Sequence, residues 1–158
     1  EFAFKIGKTL IPRFNNYSVN EIIDSVESLF LAIELPDSRF LNFHQAGEFN
    51  LIADNACAHQ FILGDKITEV WKNLDLSKHE VSISNQNSEI YHGIGSNVLG
   101  GPILALTWLV NELSDYNITL KSGSVITTGT LSTPIPINPG DVVTADYGML
   151  GKLNLKFV

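Results

Sequence analysis

The segment Leu29–Arg39, LFLAIELPDSR, places five apolar residues in a row and then a single acid, Glu34, before Leu35 and Pro36 close it. A run of that kind packs as interior. Ionised Glu is almost never fully buried without a counter-charge, because taking a carboxylate out of water is costly unless it is paired or coordinates a metal. Glu34 is therefore the first candidate for chemistry. The plain alternative is a half-exposed strand carboxylate paired with Arg39 or a lysine.

The neighbouring segments say what surrounds that strand. Phe2–Ile6 alternates weakly with Ala and Lys, as a half-buried strand does, and Gly7 closes it. Ser18 followed by Glu21 is a capping box, and Val19, Ile22, Ile23, Val26, Leu29 and Phe30 lie at helical spacing. They predict a helix that covers a sheet and runs into the strand carrying Glu34, with Pro36 as the stop. Phe40–Leu51 reads as a loop over the site. Ile52–Asp65 reads as a polar cluster, a buried strand Gln60–Leu63 and a Gly64-Asp65 turn.

Val81–Ser84 and Glu89–His92 alternate around Asn85-Gln86-Asn87-Ser88, as the arms of a hairpin do. Pro102 suits the first turn of a helix to Leu113, with Ile103, Leu106, Leu109, Val110 and Leu113 as its core face. The tail is strand and turn: Val125–Thr128, Pro134–Asn138, a Pro139-Gly140-Asp141 turn, Val142–Tyr147 and Leu153–Val158. Two helices against about nine short strands give an α+β class. The expected form is a β-rich mixed roll or barrel-like core with two main helices packed on it, in one domain spanning 1–158.

With 158 residues, 44% hydrophobic and 17% charged, the chain is one globular domain. A net charge of -7 argues against nucleic acid or an anionic membrane as partner, since both demand a concentrated positive field. A small-molecule partner fits better, with a cation between protein and substrate if the substrate is an anion. One cysteine, Cys57, rules out an internal disulfide framework, and with no signal peptide or long apolar run a cytoplasmic location is the expectation. The sequence opens on Glu1 and already reads as strand, so an N-terminally truncated piece is expected.

The tail Lys121–Phe157, KSGSVITTGTLSTPIPINPGDVVTADYGMLGKLNLKF, resembles the C-terminal core of the fumarylacetoacetate hydrolase superfamily. The likeness is nearest to its 2-keto-4-pentenoate hydratase and 4-oxalocrotonate decarboxylase branch. EFAFKIGK, AIELPDSR and IADNACAHQFILG are similar to three more of the branch's segments, and GGPILALTWLVNEL to its Gly-His-Pro helix, with Gly101 where His is usual. The resemblance implies a divalent ion, Mg²⁺ or Mn²⁺, held by a Glu-x-Glu strand and one further carboxylate. Glu1 matches the second Glu of that strand and Glu34 the further carboxylate; the first Glu falls outside this sequence. Hard ions take oxygen ligands and keep open or water positions that a 2-keto acid can fill through its carboxylate and keto oxygen.

The resemblance thus implies a metal-dependent lyase that hydrates a short unsaturated 2-keto acid, of the 2-hydroxypenta-2,4-dienoate type, through a metal-stabilised enolate. A catalytically incomplete or structural partner subunit is one alternative, and a 2-oxo acid decarboxylase or carbon-carbon hydrolase another. The hydrolase ranks lower because IADNACA carries no Lys where that branch needs one. The superfamily's habit also implies a homo-oligomer.

Other site candidates come from the same stretches. Cys57 stands where the branch commonly has a substrate-binding Ser, although a lone Cys is more often an inert small core residue. Asp54 and Asn55 either order their loop or orient water and substrate. Thr128 and Thr130 flank Gly129 on a loop that in the superfamily approaches the substrate carboxylate. Arg39 either anchors a substrate carboxylate or, by the favoured reading, pairs with Asp37 or Glu48.

Overall fold

The computed structural model describes residues 1–86 and 89–158, the side chains of Glu69 and Val70 excepted. Its strands, in chain order, are β1 (Phe2–Ile6), β2 (Val26–Leu35), β3 (Gln60–Ile67), β4 (Glu80–Asn85), β5 (Ile90–Ile94), β6 (Val125–Thr127), β7 (Val142–Asp146) and β8 (Lys152–Lys156). They form two four-stranded sheets, ordered β3-β2-β1-β6 and β5-β4-β7-β8, antiparallel throughout. The helices are α1 (Val19–Ser25), α2 (Glu48–Ala53) and α3 (Pro102–Asp115). This is the expected α+β architecture with a β-rich core. No described helix is long and apolar enough to cross a membrane.

β1 lies between β2 and β6, and Phe2, Phe4 and Ile6 are wholly buried. The half-buried expectation for this strand is corrected, because β2 and β6 cover its edges and side chains such as Trp71 and Tyr147 pack on Phe4 and Phe2. α1 starts as expected: the Ser18 hydroxyl accepts from the Glu21 N–H, and the Glu21 carboxylate accepts from the Ser18 N–H at 2.8 Å. It ends at Ser25, however, and Val26, Leu29 and Phe30 belong to β2. Pairing of Val26 with Ile6 and of Leu31 with Phe2 claims these residues for the sheet, overriding a local helical spacing.

α3 begins at Pro102 and buries Ala105, Leu106 and Val110, while α1 lies against it. The Tyr17 N–H donates to Asn111 Oδ1 at 2.8 Å, which ties the entry of α1 to α3. β4 and β5 pair as the expected hairpin; residues 87 and 88 of its Asn85–Ser88 connection lie outside the described residues.

Four further expectations change. β3 continues through Gly64 and Asp65, which mark a bulge rather than a turn: Phe30 pairs with Lys66 and Ala32 with Leu63, so the register slips by one. β3 is an edge strand, and Phe61 and Leu63 are exposed rather than buried. Pro134–Asn138 is irregular, since Pro134 and Pro136 have no N–H to give a ladder. Phe40–Leu51 holds a short turn of 3-10 helix at Phe43–Gln45 and the start of α2.

Candidate functional site

β2 is buried from Leu31 to Ile33 and opens to solvent at Glu34. The side chain is not an interior charge, so the desolvation argument that first singled it out does not apply. What singles it out in the structure is its neighbour. The Glu1 main-chain nitrogen donates to the Ala32 carbonyl at 2.8 Å, and the Ala32 N–H donates back to Glu1 at 3.0 Å. Residues opposed in this way share a face, and Glu34 lies two places further along the same face. Glu1 and Glu34 are therefore diagonal cross-strand neighbours, and both line the same cavity.

Burial pushes the Glu1 carboxyl above its ordinary value, and the Glu34 carboxylate pushes the same way. The Gly129 N–H, which donates to Glu1 at 3.2 Å, acts against that rise. Gly129 makes this donation with φ of 124° and with Val98 Cγ1 3.2 Å from where a Cβ would stand. A side chain there is disfavoured by both conformation and space.

The two carboxylates border a cavity of about 170 Å³ lined from both sheets. The end of β2 and the segment Thr130–Ile137 wall it, β4 and β7 contribute Val81, Ile83, Val143 and Ala145, and Tyr147 and Phe157 complete it. Tyr147 is 2% exposed, and its hydroxyl accepts from the Glu1 nitrogen at 2.9 Å and faces the carbonyls of Ala32 and Glu1 at 2.9 and 3.0 Å. Burial raises its pKa. It is thus a neutral donor that fastens Glu1 beside Glu34.

The remaining candidates divide. Thr130 lines the cavity. The Thr128 hydroxyl instead donates to the Phe2 carbonyl at 3.2 Å, joining β6 to β1. Asp54, Asn55 and Cys57 are absent from the lining, as is the whole of Phe40–Leu51. Asp54 is 1% exposed and fully engaged: Ser38 Oγ donates to it at 2.7 Å, Arg39 Nη1 at 2.9 Å and the Arg39 N–H at 3.2 Å. The Ser38 hydroxyl and then Arg39 hold its carboxyl below the usual range. Arg39 therefore pairs with Asp54, not with Asp37 or Glu48, because the buried carboxylate is the one that needs it.

Arg39 also donates to the carbonyls of Asp54 and Ala58. It brackets Asn55, Ala56 and Cys57, whose φ angles are 53°, 53° and 57°. Sequence reasoning missed Tyr147 and Phe157 as lining residues, and took Gly129 only as the glycine between two candidate threonines. For Gly129 a signal existed in the ThrGlyThr triplet, whereas the other two are placed by long-range pairing alone.

A carboxylate pair at one end of an apolar cavity, in a two-sheet α+β domain, is a concave site of the kind that takes a small molecule rather than a polymer. Residues 1–158 match the family model described as fumarylacetoacetate (FAA) hydrolase C-terminal, and the chain belongs to that family. It is 30% identical over 164 residues to 2-oxo-hept-4-ene-1,7-dioate hydratase of Escherichia coli, covering 100% of this chain and 60% of the relative. It is 26% identical to 2-keto-4-pentenoate hydratase of Paraburkholderia xenovorans (strain LB400), covering 99% and 57%.

Among solved structures, 4-oxalocrotonate decarboxylase from Pseudomonas putida G7, complexed with magnesium and adipate, superposes with a TM-score of 0.86 at 27% identity. That match covers 100% of this chain and 59% of that one. The chain thus spans 60% or less of the length of these relatives, which are hydratases and decarboxylases.

Proposed function

We propose that this domain is the catalytic core of a divalent-metal-dependent lyase that hydrates a short unsaturated 2-keto acid of the 2-hydroxypenta-2,4-dienoate type. The observation that carries the proposal is that Glu1 and Glu34, diagonal neighbours on paired strands, line one end of the same apolar cavity. Two carboxylates held beside each other are a poor arrangement without a cation, and their oxygens are the donors that Mg²⁺ or Mn²⁺ prefers. The solved relative bound to magnesium supports the reading.

Glu1 and Glu34 would hold the ion, which when bound supplies Lewis-acid polarisation of a keto acid's oxygens. The chain's own residues do the rest. Gly129 and Tyr147 fix Glu1 through its carboxylate and its main chain. The apolar walls exclude bulk water from the dienoic tail, and Thr130 offers a hydroxyl beside the carboxylate end. Mg²⁺-dependent loss of 2-hydroxypenta-2,4-dienoate absorbance is the expected activity.

Glu34→Gln should weaken Mg²⁺ binding in calorimetry by at least about tenfold, the loss of one charged ligand from two. Unchanged affinity would put the metal elsewhere. A second reading is a chain that binds ion and keto acid without turnover, as a partner subunit. It is favoured by one observation: among the described residues no group of three acidic, His or Cys side chains is arranged to hold a metal. Mg²⁺-dependent binding of oxalate without hydration of the dienoate would select it.

A further inference from the structure

β6 ends at Thr127, and the residues after it run past Glu1 outside any strand. Two anchors hold them. Upstream, the Thr128 N–H and hydroxyl both donate to the Phe2 carbonyl, at 3.3 and 3.2 Å, which ties the chain to the residue beside Glu1. Downstream, the Leu131 carbonyl accepts from the Ile94 N–H at 3.2 Å and from Asn97 Nδ2 at 2.7 Å. Gly129 and Thr130 are all that lies between. The Gly129 N–H donates to the Glu1 carboxylate, and Thr130 lines the cavity.

So short an arch depends on both ends, because Gly129 has the widest backbone freedom of any residue and no side chain with which to hold itself. Val98 stands behind it, 5% exposed, with Cγ1 3.2 Å from where a Cβ would be. That contact limits how far Gly129 can retreat. It does not aim the N–H, which needs a directional bond to fix the peptides on either side.

The two donors to Leu131 differ in kind. The Ile94 N–H is main chain, at the end of β5 where Gly93 lies opposite Ser132, so any residue but proline would supply it. Asn97 donates from its side chain, and since a carbonyl oxygen can only accept, the amide nitrogen is the atom that faces Leu131. The turn that presents it is itself fixed: Gly95–Asn97 is a 3-10 turn in which the Gly95 N–H donates to the His79 carbonyl at 3.0 Å and the Val98 N–H to the Gly95 carbonyl at 3.2 Å. Asn97 is exposed, so its contribution is this hydrogen bond rather than core packing.

We propose that Asn97 is a positioning residue for the carboxylate site: by fixing the Leu131 carbonyl it keeps the Gly129 N–H on Glu1 and Thr130 in the cavity. It acts through the loop and not on the reacting atoms. Its effect on a metal rests on Glu1 and Glu34 being the ligands, whereas its hold on Gly129 does not.

The test compares the parent with Asn97→Leu, which keeps a similar volume without a donor, and with Asn97→Ala, which controls for the bulk of the leucine. Amide hydrogen exchange, followed by NMR without metal, should quicken at Gly129 by at least about fivefold in both variants, with the β1 and α3 amides and the urea midpoint unchanged. Mg²⁺ affinity in calorimetry should fall by at least about threefold in both. Gly129 exchange equal to the parent's overturns the proposal, and so does a change confined to Asn97→Leu. A lower midpoint with all amides quickened together would make Asn97 a residue of general stability and overturn it as well. Quickened exchange at Gly129 with unchanged Mg²⁺ affinity would uphold the hold on Gly129 and overturn its bearing on the metal. A parent that binds no Mg²⁺ overturns the metal reading instead, and the exchange comparison then decides the placing of Gly129.

Discussion

Glu34 and Asp54 meet the requirement for charge in opposite ways. Glu34 stays in solvent beside a second carboxylate, while Asp54 is buried and takes donors from Ser38 and Arg39. Sequence reasoning assigned the burial problem to the wrong acid, because an apolar run marks the strand but not the residue at which it surfaces. The bond from Arg39 to Asp54 carries a specific consequence. Left-handed backbone at three consecutive non-glycine residues is costly and persists only when its surroundings hold it. Arg39→Ala should therefore raise amide hydrogen exchange at Asn55–Ala58 by at least about tenfold while leaving the β1 amides unchanged. Equal protection in variant and parent would show that the segment holds itself.

At the scale of elements, local signals located starts better than ends. The capping box at Ser18 and the proline at Pro102 each open a helix where expected. Such signals are carried by residues within one turn of one another. The end of α1 and the course of β3 depend instead on partners far away in sequence, so spacing alone misjudged both. The box also makes α1 sensitive to acid. Arg13 first, then Ser18, draws the Glu21 carboxyl down from 4.5 to about 2. A depressed carboxylate pKa contributes stability that is complete above 4.5 and is lost as pH falls through about 2. The acid limb of a thermal-melting profile should therefore flatten between those values in Glu21→Gln, which keeps a side chain able to cap but cannot titrate. Superimposable limbs would mean that the exposed pair with Arg13 adds nothing measurable.

At the scale of the whole molecule, the candidate site lies where the two sheets meet around Tyr147. Tyr147, beyond the end of β7, places its hydroxyl against the main chain of Glu1 and Ala32, and its carbonyl lies 2.8 Å from His79 Nε2. Its ring packs against Phe2, centroid to centroid at 5.4 Å. The hydrogen-bonded residues lie 146 and 115 positions from Tyr147 in sequence. No periodicity or motif inside a window reports such a junction, which is why the family resemblance pointed to Glu1 and Glu34 but gave no sign of Tyr147.

Tyr147→Phe keeps the ring and removes one buried hydroxyl, so it should cost about 1–2 kcal/mol of stability. A lower urea midpoint with an unchanged slope would show that loss. With Glu1 less firmly seated beside Glu34, Mg²⁺ affinity should fall with it, by roughly threefold to tenfold if about 1 kcal/mol of the loss is felt at the carboxylate pair. Stability lowered with Mg²⁺ affinity unchanged would make Tyr147 a fastening of the sheets alone. Both quantities unchanged would mean that the hydroxyl does not hold the junction.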